Sequence, residues 1–210
     1  MSAGEVLDRY FGRCPLIGII RGVTPAHAAG IGRALFDGGI RIIEVPLNSP
    51  DPMASVAAIA EALGEEALVG AGTVLDPADV HKVKQAGGRI IVSPNMNPAV
   101  IKAAVECGLI SSPGVFTPTE AFAALEAGAH ALKLFPAEAA SPAVVKALKA
   151  VLPKTVPLIV VGGVTPDSLH GWMEAGADGF GLGGGLYKPG QSVDATLAKA
   201  RAYVAAMGRR

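Results

Sequence analysis

Two charged residues lie where the sequence predicts buried strands, and their chemistry suits a reaction at a carbonyl. Lys133 stands in His-Ala-Leu-Lys-Leu-Phe-Pro (residues 130–136), and Glu44 stands in Ile-Ile-Glu-Val-Pro (residues 42–46). A buried ammonium is costly unless its pKa falls, and a neutral lysine can form a Schiff base with a ketone. A carboxylate nearby can move protons. The sequence therefore predicts Lys133 as a nucleophile and Glu44 as a general acid and base.

Both residues also have a structural interpretation. Lys133 can lay its stem along apolar surface and keep its amine in water. Glu44 and Lys133 can also form a buried salt bridge, although desolvation tends to cancel the attraction within such a pair. Because a buried pair contributes little stability, we favour the catalytic interpretation of Glu44 and Lys133.

The elements that must position these residues alternate along the whole chain. Ala-rich helical runs separate eight β-rich runs, whose starts lie roughly 23 residues apart, the length of one tight βα unit. The predicted strands are Pro15–Gly22, Ile40–Leu47, Ala67–Thr73, Arg89–Asn95, Leu109–Val115, His130–Pro136, Val156–Gly163 and Gly179–Gly185. A capping residue directly before proline predicts the helix starts, at Thr24-Pro25, Ser49-Pro50, Asp76-Pro77, Asn97-Pro98, Thr117-Pro118, Ser141-Pro142 and Thr165-Pro166.

This alternation predicts one α/β domain over residues 1–210, a closed (β/α)₈ TIM barrel. Residues from Met1 to about Gly12 are expected to form an extra helix over the base of the barrel. An open, doubly wound sheet is the alternative. That fold usually carries G-x-G-x-x-G after its first strand, and residues 19–24 contain no such motif.

Further polar residues stand at predicted strand ends, where barrels of this kind carry their active sites. Strands two and six lie opposite each other in an eight-stranded barrel, so Glu44 and Lys133 can face one another. Arg21 is a candidate for binding a carboxylate, because its guanidinium matches two oxygens; a surface salt bridge is its structural alternative. The remaining candidates are Thr73, the segment Ser93-Pro94-Asn95, and Ser112. Thr73 can equally be a simple strand end, and within the segment we assign Pro94 to substrate binding.

Glycines end the last two strands, where phosphosugar barrels bind phosphate on backbone N–H groups. Val161-Gly162-Gly163 closes strand seven, and Gly181-Leu182-Gly183-Gly184-Gly185 closes strand eight. A glycine can also serve only as a tight turn. Two such loops at these strands favour a phosphorylated substrate, with Gly162, Gly163, Gly183 and Gly184 at the phosphate and Val161 as an apolar wall.

Composition narrows the class of protein. Eighteen basic and 18 acidic residues balance without a basic stripe, so we expect no nucleic-acid partner. No apolar run approaches the roughly 20 residues of a membrane span, and no signal peptide is recognisable, so we expect a cytoplasmic protein. Cys14 and Cys107 belong to no metal-ligand spacing, and the four histidines are scattered. We expect no metal ion.

Over essentially its whole length, the chain resembles the class I aldolases that cleave 2-keto-3-deoxy-6-phosphosugar acids. This KDPG/KHG family is named after 2-dehydro-3-deoxy-6-phosphogluconate and 4-hydroxy-2-oxoglutarate. Residues 39–45 look like its general acid/base motif, and residues 128–137 look like its Schiff-base motif. The sequence Pro46-Leu47-Asn48-Ser49-Pro50 and the valine at position 161 resemble the phosphogalactonate branch. Gly184 departs from relatives that tend to have serine there.

The resemblance implies an aldolase that releases pyruvate and D-glyceraldehyde 3-phosphate from 2-dehydro-3-deoxy-6-phosphogalactonate, with Lys133 forming the Schiff base and Glu44 moving protons. It implies that Arg21 and Thr73 hold the carboxylate, that no metal or organic cofactor is needed, and that the enzyme is a homotrimer. Two alternatives stay open. One is the phosphogluconate or 4-hydroxy-2-oxoglutarate aldolase of the same family, and the other is a non-catalytic phosphosugar-binding barrel.

Overall fold

The protein forms the predicted parallel barrel, here described from a computed structural model for residues 1–208. Residues 209–210, the last two of the predicted domain, lie outside the described residues. The strands are β1 Leu16–Ile19, β2 Ile42–Pro46, β3 Leu68–Gly72, β4 Ile90–Val92, β5 Ile110–Ser112, β6 Gly114–Val115, β7 Leu132–Leu134, β8 Leu158–Val161 and β9 Gly179–Leu182. They pair in parallel in the order β5-β4-β3-β2-β1-β9-β8-β7-β6.

Helices follow the strands around the outside of the barrel. The α-helices are α1 Ala3–Phe11, α2 Pro25–Asp37, α3 Pro52–Leu63, α4 Pro77–Gln85, α5 Pro98–Glu106, α6 Pro118–Glu126, α7 Pro142–Val151, α8 Leu169–Glu174 and α9 Val193–Met207, with short 3₁₀ turns at Gly64–Glu66 and Ala137–Ala139. None of the helices within residues 1–208 is long and apolar enough to cross a membrane.

The fifth predicted strand is interrupted, so the prediction of one continuous strand over residues 109–115 is wrong. Pro113 has no N–H to donate, and the ladder breaks there into β5 and β6. β6 pairs with β7, and β5 is bonded to the residues just before β7. The carbonyl oxygen of Ser111 accepts a hydrogen bond from His130 N, and that of Pro113 accepts one from Lys133 N, each at 2.9 Å. These bonds close the ring of strands.

Five of the seven predicted helix starts are confirmed, those of α2, α4, α5, α6 and α7. The start at Ser49-Pro50 is wrong. The Ser49 hydroxyl accepts a hydrogen bond from Gly22 N at 2.9 Å, and α3 begins at Pro52, two residues later than predicted. The start at Thr165-Pro166 is also wrong. Thr165 and Ser168 bond each other's backbone N–H groups in a turn, which delays α8 to Leu169.

Two apolar layers hold the barrel together. The outer layer packs the helices on the sheet and contains most of the buried side chains, among them Leu35, Val69 and Leu158. The inner layer fills the barrel with alternate strand residues such as Ile17, Ile42 and Ile159. Alternation along each strand therefore decides which residues reach the interior, and it directs Glu44, two residues after Ile42, to the same inner side.

The predicted extra helix, α1, closes the N-terminal end of the barrel, as expected. Leu7 and Tyr10 belong to the inner apolar layer, and Tyr10 is fully buried. The Tyr10 hydroxyl donates to the carbonyl oxygen of Glu65 at 2.6 Å. Arg89 donates to the Tyr10 hydroxyl at 3.2 Å and to the Ala67 carbonyl oxygen at 2.6 Å. These contacts anchor α1 over the N-terminal end of the barrel. The opposite end stays open.

Candidate active site

A cavity of about 560 Å³ opens at the C-terminal ends of the strands. Ten of the thirteen residues that the sequence predicts for the active site line it: Arg21, Glu44, Thr73, Pro94, Lys133, Val161, Gly162, Gly163, Gly183 and Gly184. They come from seven different strands or the loops that follow them, so only the closed barrel brings them together. A cavity at this position is typical of TIM-barrel active sites.

Glu44 lies in the middle of β2 and is only 2% exposed. Its Oε2 atom has no hydrogen-bond partner among the described residues. Space for the carboxylate is created by Gly72 on β3, because a Cβ added at Gly72 would collide with it. A buried carboxylate oxygen without a partner is costly, and such groups cluster at functional sites.

Lys133 lies in the middle of β7 and is 7% exposed. Its Nζ atom lies 4.6 Å from the centre of the Phe135 ring. Lys133 forms no ion pair with Glu44, although both side chains are buried and line one cavity. The buried salt bridge considered from the sequence is therefore absent from this pair.

Burial shifts the proton affinities of both groups toward their neutral forms. Burial raises the pKa of Glu44 to about 7, against the opposing charges of Lys133 and Arg21. Burial also lowers the pKa of the Lys133 amine, the Glu44 carboxylate opposes this shift, and the charge of Arg21 adds to it. A carboxyl group with a pKa near neutrality can both accept and return a proton, and a lysine with a lowered pKa offers a free amine.

Arg21 and Thr73 lie on neighbouring loops at the edge of the cavity. Arg21 follows β1 in a turn, and its Nη1 atom donates to Oδ1 of Asn48, in the loop after β2. Thr73 follows β3 with a φ of 57°, a left-handed conformation that is rare for a β-branched residue. Such backbone strain, of order 1–3 kcal/mol, is found mostly at functional sites.

The opposite side of the cavity is built from glycine loops. Gly162 and Gly163, after β8, have φ values of 121° and 62°, which only glycine adopts readily. Gly183 and Gly184, after β9, border open space, since a Cβ added at either would meet nothing within 4 Å. Val161 is 6% exposed and packs where a Cβ at Gly181 would lie, so the wall between the two loops is apolar.

Two exposed, oppositely charged residues that the sequence did not single out also line this side. The Glu138 side chain lies against Gly162 and Gly163, where added Cβ atoms would strike it. Lys188 lines the cavity just beyond the glycines that follow β9. The backbone N–H groups and Lys188 favour an anion here, whereas Glu138 disfavours one.

Three of the predicted residues lie outside the cavity. Ser93 does not line the cavity, because its hydroxyl donates to the Val74 carbonyl oxygen at 2.7 Å. Ser112, which is buried, and Asn95, which is exposed, also lie outside the cavity. Gly72 was missed, although a glycine inside a strand signals close approach of another group. Residues 1–208 contain no group of three or more His, Cys, Asp or Glu side chains that could hold a metal ion.

This fold and this cavity suit a Schiff-base, class I aldolase. A family model, "Aldolase: KDPG and KHG aldolase", matches residues 7–198, and the chain belongs to that family.

Individual relatives are similar over nearly the whole chain. The 2-dehydro-3-deoxy-6-phosphogalactonate aldolase of Escherichia coli is 50% identical over 194 residues, which cover 92% of this chain and 95% of the relative. A solved native KDPGal structure has a TM-score of 0.91 at 49% identity and covers 93% of this chain and 95% of its own. A Legionella pneumophila KDPG aldolase, solved with pyruvate captured at low pH as a covalent carbinolamine intermediate, has a TM-score of 0.79 at 25% identity, with 97% of each chain covered.

Proposed function

We propose that the protein cleaves 2-dehydro-3-deoxy-6-phospho-D-galactonate to pyruvate and D-glyceraldehyde 3-phosphate. The observation that carries this proposal is the pair of buried, unpaired groups, Glu44 and Lys133, in the cavity of a chain that belongs to the KDPG and KHG aldolase family. The carbinolamine trapped in the Legionella relative supports covalent chemistry with pyruvate, and the E. coli relative supports the galactonate substrate.

In the first half of the reaction, the neutral amine of Lys133 attacks the C2 carbonyl carbon to form a carbinolamine. The protonated Glu44 carboxyl group gives its proton to the carbinolamine hydroxyl, which leaves as water, so an iminium and the Glu44 carboxylate remain. The Glu44 carboxylate takes the proton of the C4 hydroxyl, directly or through water. The C3–C4 bond then breaks, and its electron pair moves into the iminium to form an enamine. Glyceraldehyde 3-phosphate departs as the aldehyde.

In the second half, the Glu44 carboxyl group returns its proton to C3 of the enamine. Water adds to the pyruvate iminium, the proton released in this hydrolysis passes to the Glu44 carboxylate, pyruvate leaves, and Lys133 is again a free amine. Glu44 thus has to take up a proton and give it back within one turnover. The pKa of about 7 suits this double role, since neither protonation state is strongly disfavoured near neutral pH.

The two ends of the cavity suit the two anionic ends of the substrate. We assign the carboxylate to Arg21 and Thr73, beside the Pro94 wall, because the guanidinium offers paired donors. We assign the phosphate to the backbone N–H groups of Gly162, Gly163, Gly183 and Gly184. No side-chain hydroxyl is available at position 184, so backbone donors must supply most of the contacts there.

The residue that contacts C4 decides between the two branches of the family. Val161 presents an apolar surface, so it cannot hydrogen-bond the C4 hydroxyl of the gluco epimer. This feature favours the galactonate substrate over the phosphogluconate alternative. The non-catalytic alternative does not account for a buried carboxylate and a buried amine that lack each other as partners.

A side-by-side assay of pyruvate release from the two C4-epimeric phosphosugar acids tests the proposal. We expect release from both or from the galacto epimer, with kcat/KM for the galacto epimer at least equal to that for the gluco epimer. Strong preference for the gluco epimer would contradict the galactonate assignment and leave the aldolase intact. Release from neither epimer would contradict catalysis on these substrates.

We also propose a homotrimer in the cytoplasm. Exposed large apolar side chains such as Leu75, Phe116 and Phe122 offer surface for contacts between subunits. A substrate with two anionic groups does not diffuse across an apolar membrane, so the enzyme must act where the substrate is made. Sedimentation velocity would give the mass of the assembly, and a monomer would contradict the trimer.

A further inference from the structure

Arg21 lies at the cavity edge, where no acidic side chain within residues 1–208 pairs with it. It forms no ion pair with any described residue, and its one described side-chain hydrogen bond is to the Asn48 amide oxygen. Both side chains are exposed, so neither is held in place by burial. An exposed arginine samples many rotamers unless a contact selects one, and ordering it on binding costs free energy.

Asn48 belongs to a loop that is fixed on both sides. Leu47 N donates to the Gly72 carbonyl oxygen at 2.8 Å, and Ser49 N donates to the Pro46 carbonyl oxygen at 2.9 Å. The buried Ser49 hydroxyl also accepts a hydrogen bond from Gly22 N at 2.9 Å. The residue after Arg21 and the residue after Asn48 are therefore tied to each other. The bond between Gly22 and Ser49 holds the two loops in register and places Asn48 opposite the Arg21 guanidinium.

The chemistry of the amide matters as much as its position. An amide oxygen accepts one guanidinium N–H, and the guanidinium keeps its full charge and its remaining donors. A carboxylate at the same place would pair with Arg21 and compete with a carboxylate on the substrate. Arg21 is also close enough to Glu44 and Lys133 that its charge shifts the pKa of each.

We propose that Asn48 is a positioning residue that holds the Arg21 guanidinium at the cavity edge, uncompensated, so that the site selects ketones that carry a carboxylate beside the carbonyl. This inference rests on the proposed function, since Arg21 must bind the substrate carboxylate. Asn48 adds a selectivity that Arg21 alone does not supply. Without Asn48, the Arg21 side chain would have to be ordered each time a substrate binds, and this would weaken its preference for a carboxylate.

The test compares two ketones in a borohydride-trapping assay of the intact enzyme. Pyruvate carries the carboxylate, and methyl pyruvate has the same skeleton without the charge. For each ketone, the half-saturating concentration and the maximal rate of inactivation are measured. The variants are Asn48→Asp, Asn48→Leu, Arg21→Leu and the double variant Arg21→Leu with Asn48→Asp. Asn95→Asp adds the same charge after β4, outside the cavity, as the matched control.

We expect Asn48→Asp to raise the half-saturating concentration of pyruvate at least 10-fold, and Asn48→Leu to raise it about 3- to 10-fold. The maximal rate with pyruvate and both parameters with methyl pyruvate should change less than twofold. In the Arg21→Leu background, Asn48→Asp should have no further effect on pyruvate, which a merely structural role for Asn48 would not produce. Asn95→Asp should change pyruvate binding less than twofold.

The outcomes separate the inference from the function on which it rests. If Arg21→Leu leaves pyruvate binding unchanged, the assignment of the carboxylate to Arg21 is wrong. If Arg21→Leu weakens pyruvate binding and both Asn48 variants bind pyruvate normally, the positioning role is wrong and the proposed function stands. Equal losses for pyruvate and methyl pyruvate in the Asn48 variants would also overturn the positioning role.

Discussion

The charged residues at the two ends of the barrel differ in whether they have partners. At the base, Arg89 donates to the Tyr10 hydroxyl and to the carbonyl oxygens of Gly64 and Ala67, and it also pairs with Glu65 at 3.2 Å. At the open end, Glu44 is buried, and one of its carboxylate oxygens has no partner within residues 1–208. Within the same residues, no carboxylate pairs with Lys133.

This difference separates charge that stabilises the fold from charge that is available to a substrate. At the base, hydrogen bonds between polar groups attach α1 to the barrel and stabilise the fold, because an acceptor left without a donor there would cost free energy. At the open end, the unpaired Glu44 and Lys133 side chains lower the stability of the fold, but their shifted pKa values make them reactive. A substitution of Glu44 should therefore lower activity without lowering stability, whereas a substitution at the base should lower stability with little change in activity. Four predictions follow this contrast in order of expected effect.

The largest effect is expected from Glu44→Gln, which keeps the shape of the side chain and removes proton transfer. Steady-state kcat for pyruvate release should fall by about 10²–10⁴, the usual contribution of a general acid or base. The exposed Glu66→Gln is the control and should retain full activity. Near-normal turnover in Glu44→Gln would assign the proton transfer to another group.

As the pH rises, the wild type should lose stability relative to the same Glu44→Gln variant. The folded-state pKa of Glu44, about 7, lies above its ordinary value of 4.5, so ionisation disfavours the folded state between those values. Wild type and variant should have similar unfolding free energies below about pH 4.5, and above about pH 7 the variant should be more stable by on the order of 3 kcal/mol. Urea denaturation at a series of pH values measures this difference, and a variant less stable at high pH would contradict it.

At the base, Arg89→Met should lower stability with little change in activity. The substitution keeps the apolar stem and leaves the carbonyl oxygens that Arg89 contacts without their donor, at a cost of roughly 2 kcal/mol. Arg33→Met is the control, since that exposed arginine makes one hydrogen bond, to the Ala62 carbonyl oxygen. We expect kcat/KM of Arg89→Met within twofold of wild type. A larger loss of kcat/KM at unchanged stability would contradict the separation of the two ends.

The smallest effect is expected at the apolar wall of the cavity. Val161→Thr is nearly isosteric and adds a hydroxyl that can bond the C4 hydroxyl of the gluco epimer. The ratio of kcat/KM values should shift toward the gluco epimer by about one hydrogen bond, ~1 kcal/mol, or roughly fivefold. The reaction with the galacto epimer serves as the internal reference. An unchanged ratio would mean that Val161 does not contact C4.

The sequence predicted the barrel and the pair at its centre because both leave local signals. Each βα unit repeats the same strand pattern, and a charged residue inside an apolar run is visible without knowledge of the fold. Glu44 and Lys133 were found in this way, and the cavity brings them together as expected. Their catalytic roles stay predictions.

The features that sequence reasoning missed depend on contacts between distant segments. Ser49 precedes a proline and looks like a helix cap, yet its hydroxyl bonds Gly22, 27 residues earlier. The space that Gly72 leaves for Glu44 follows from the register of two strands, and Glu138 reaches the glycines after β8 across a loop. None of these contacts could be predicted before the barrel was closed, because no local pattern sets the distance between the loops.

The most direct test of the account is borohydride reduction in the presence of pyruvate, followed by peptide mass spectrometry. A neutral, buried Lys133 beside Glu44 should form an iminium that reduction makes permanent. We expect one stable adduct, located on Lys133 in the wild type and in a Lys146→Met control at an exposed lysine, and no adduct in Lys133→Met. An adduct on another residue, or one that persists in Lys133→Met, would contradict the Schiff-base mechanism.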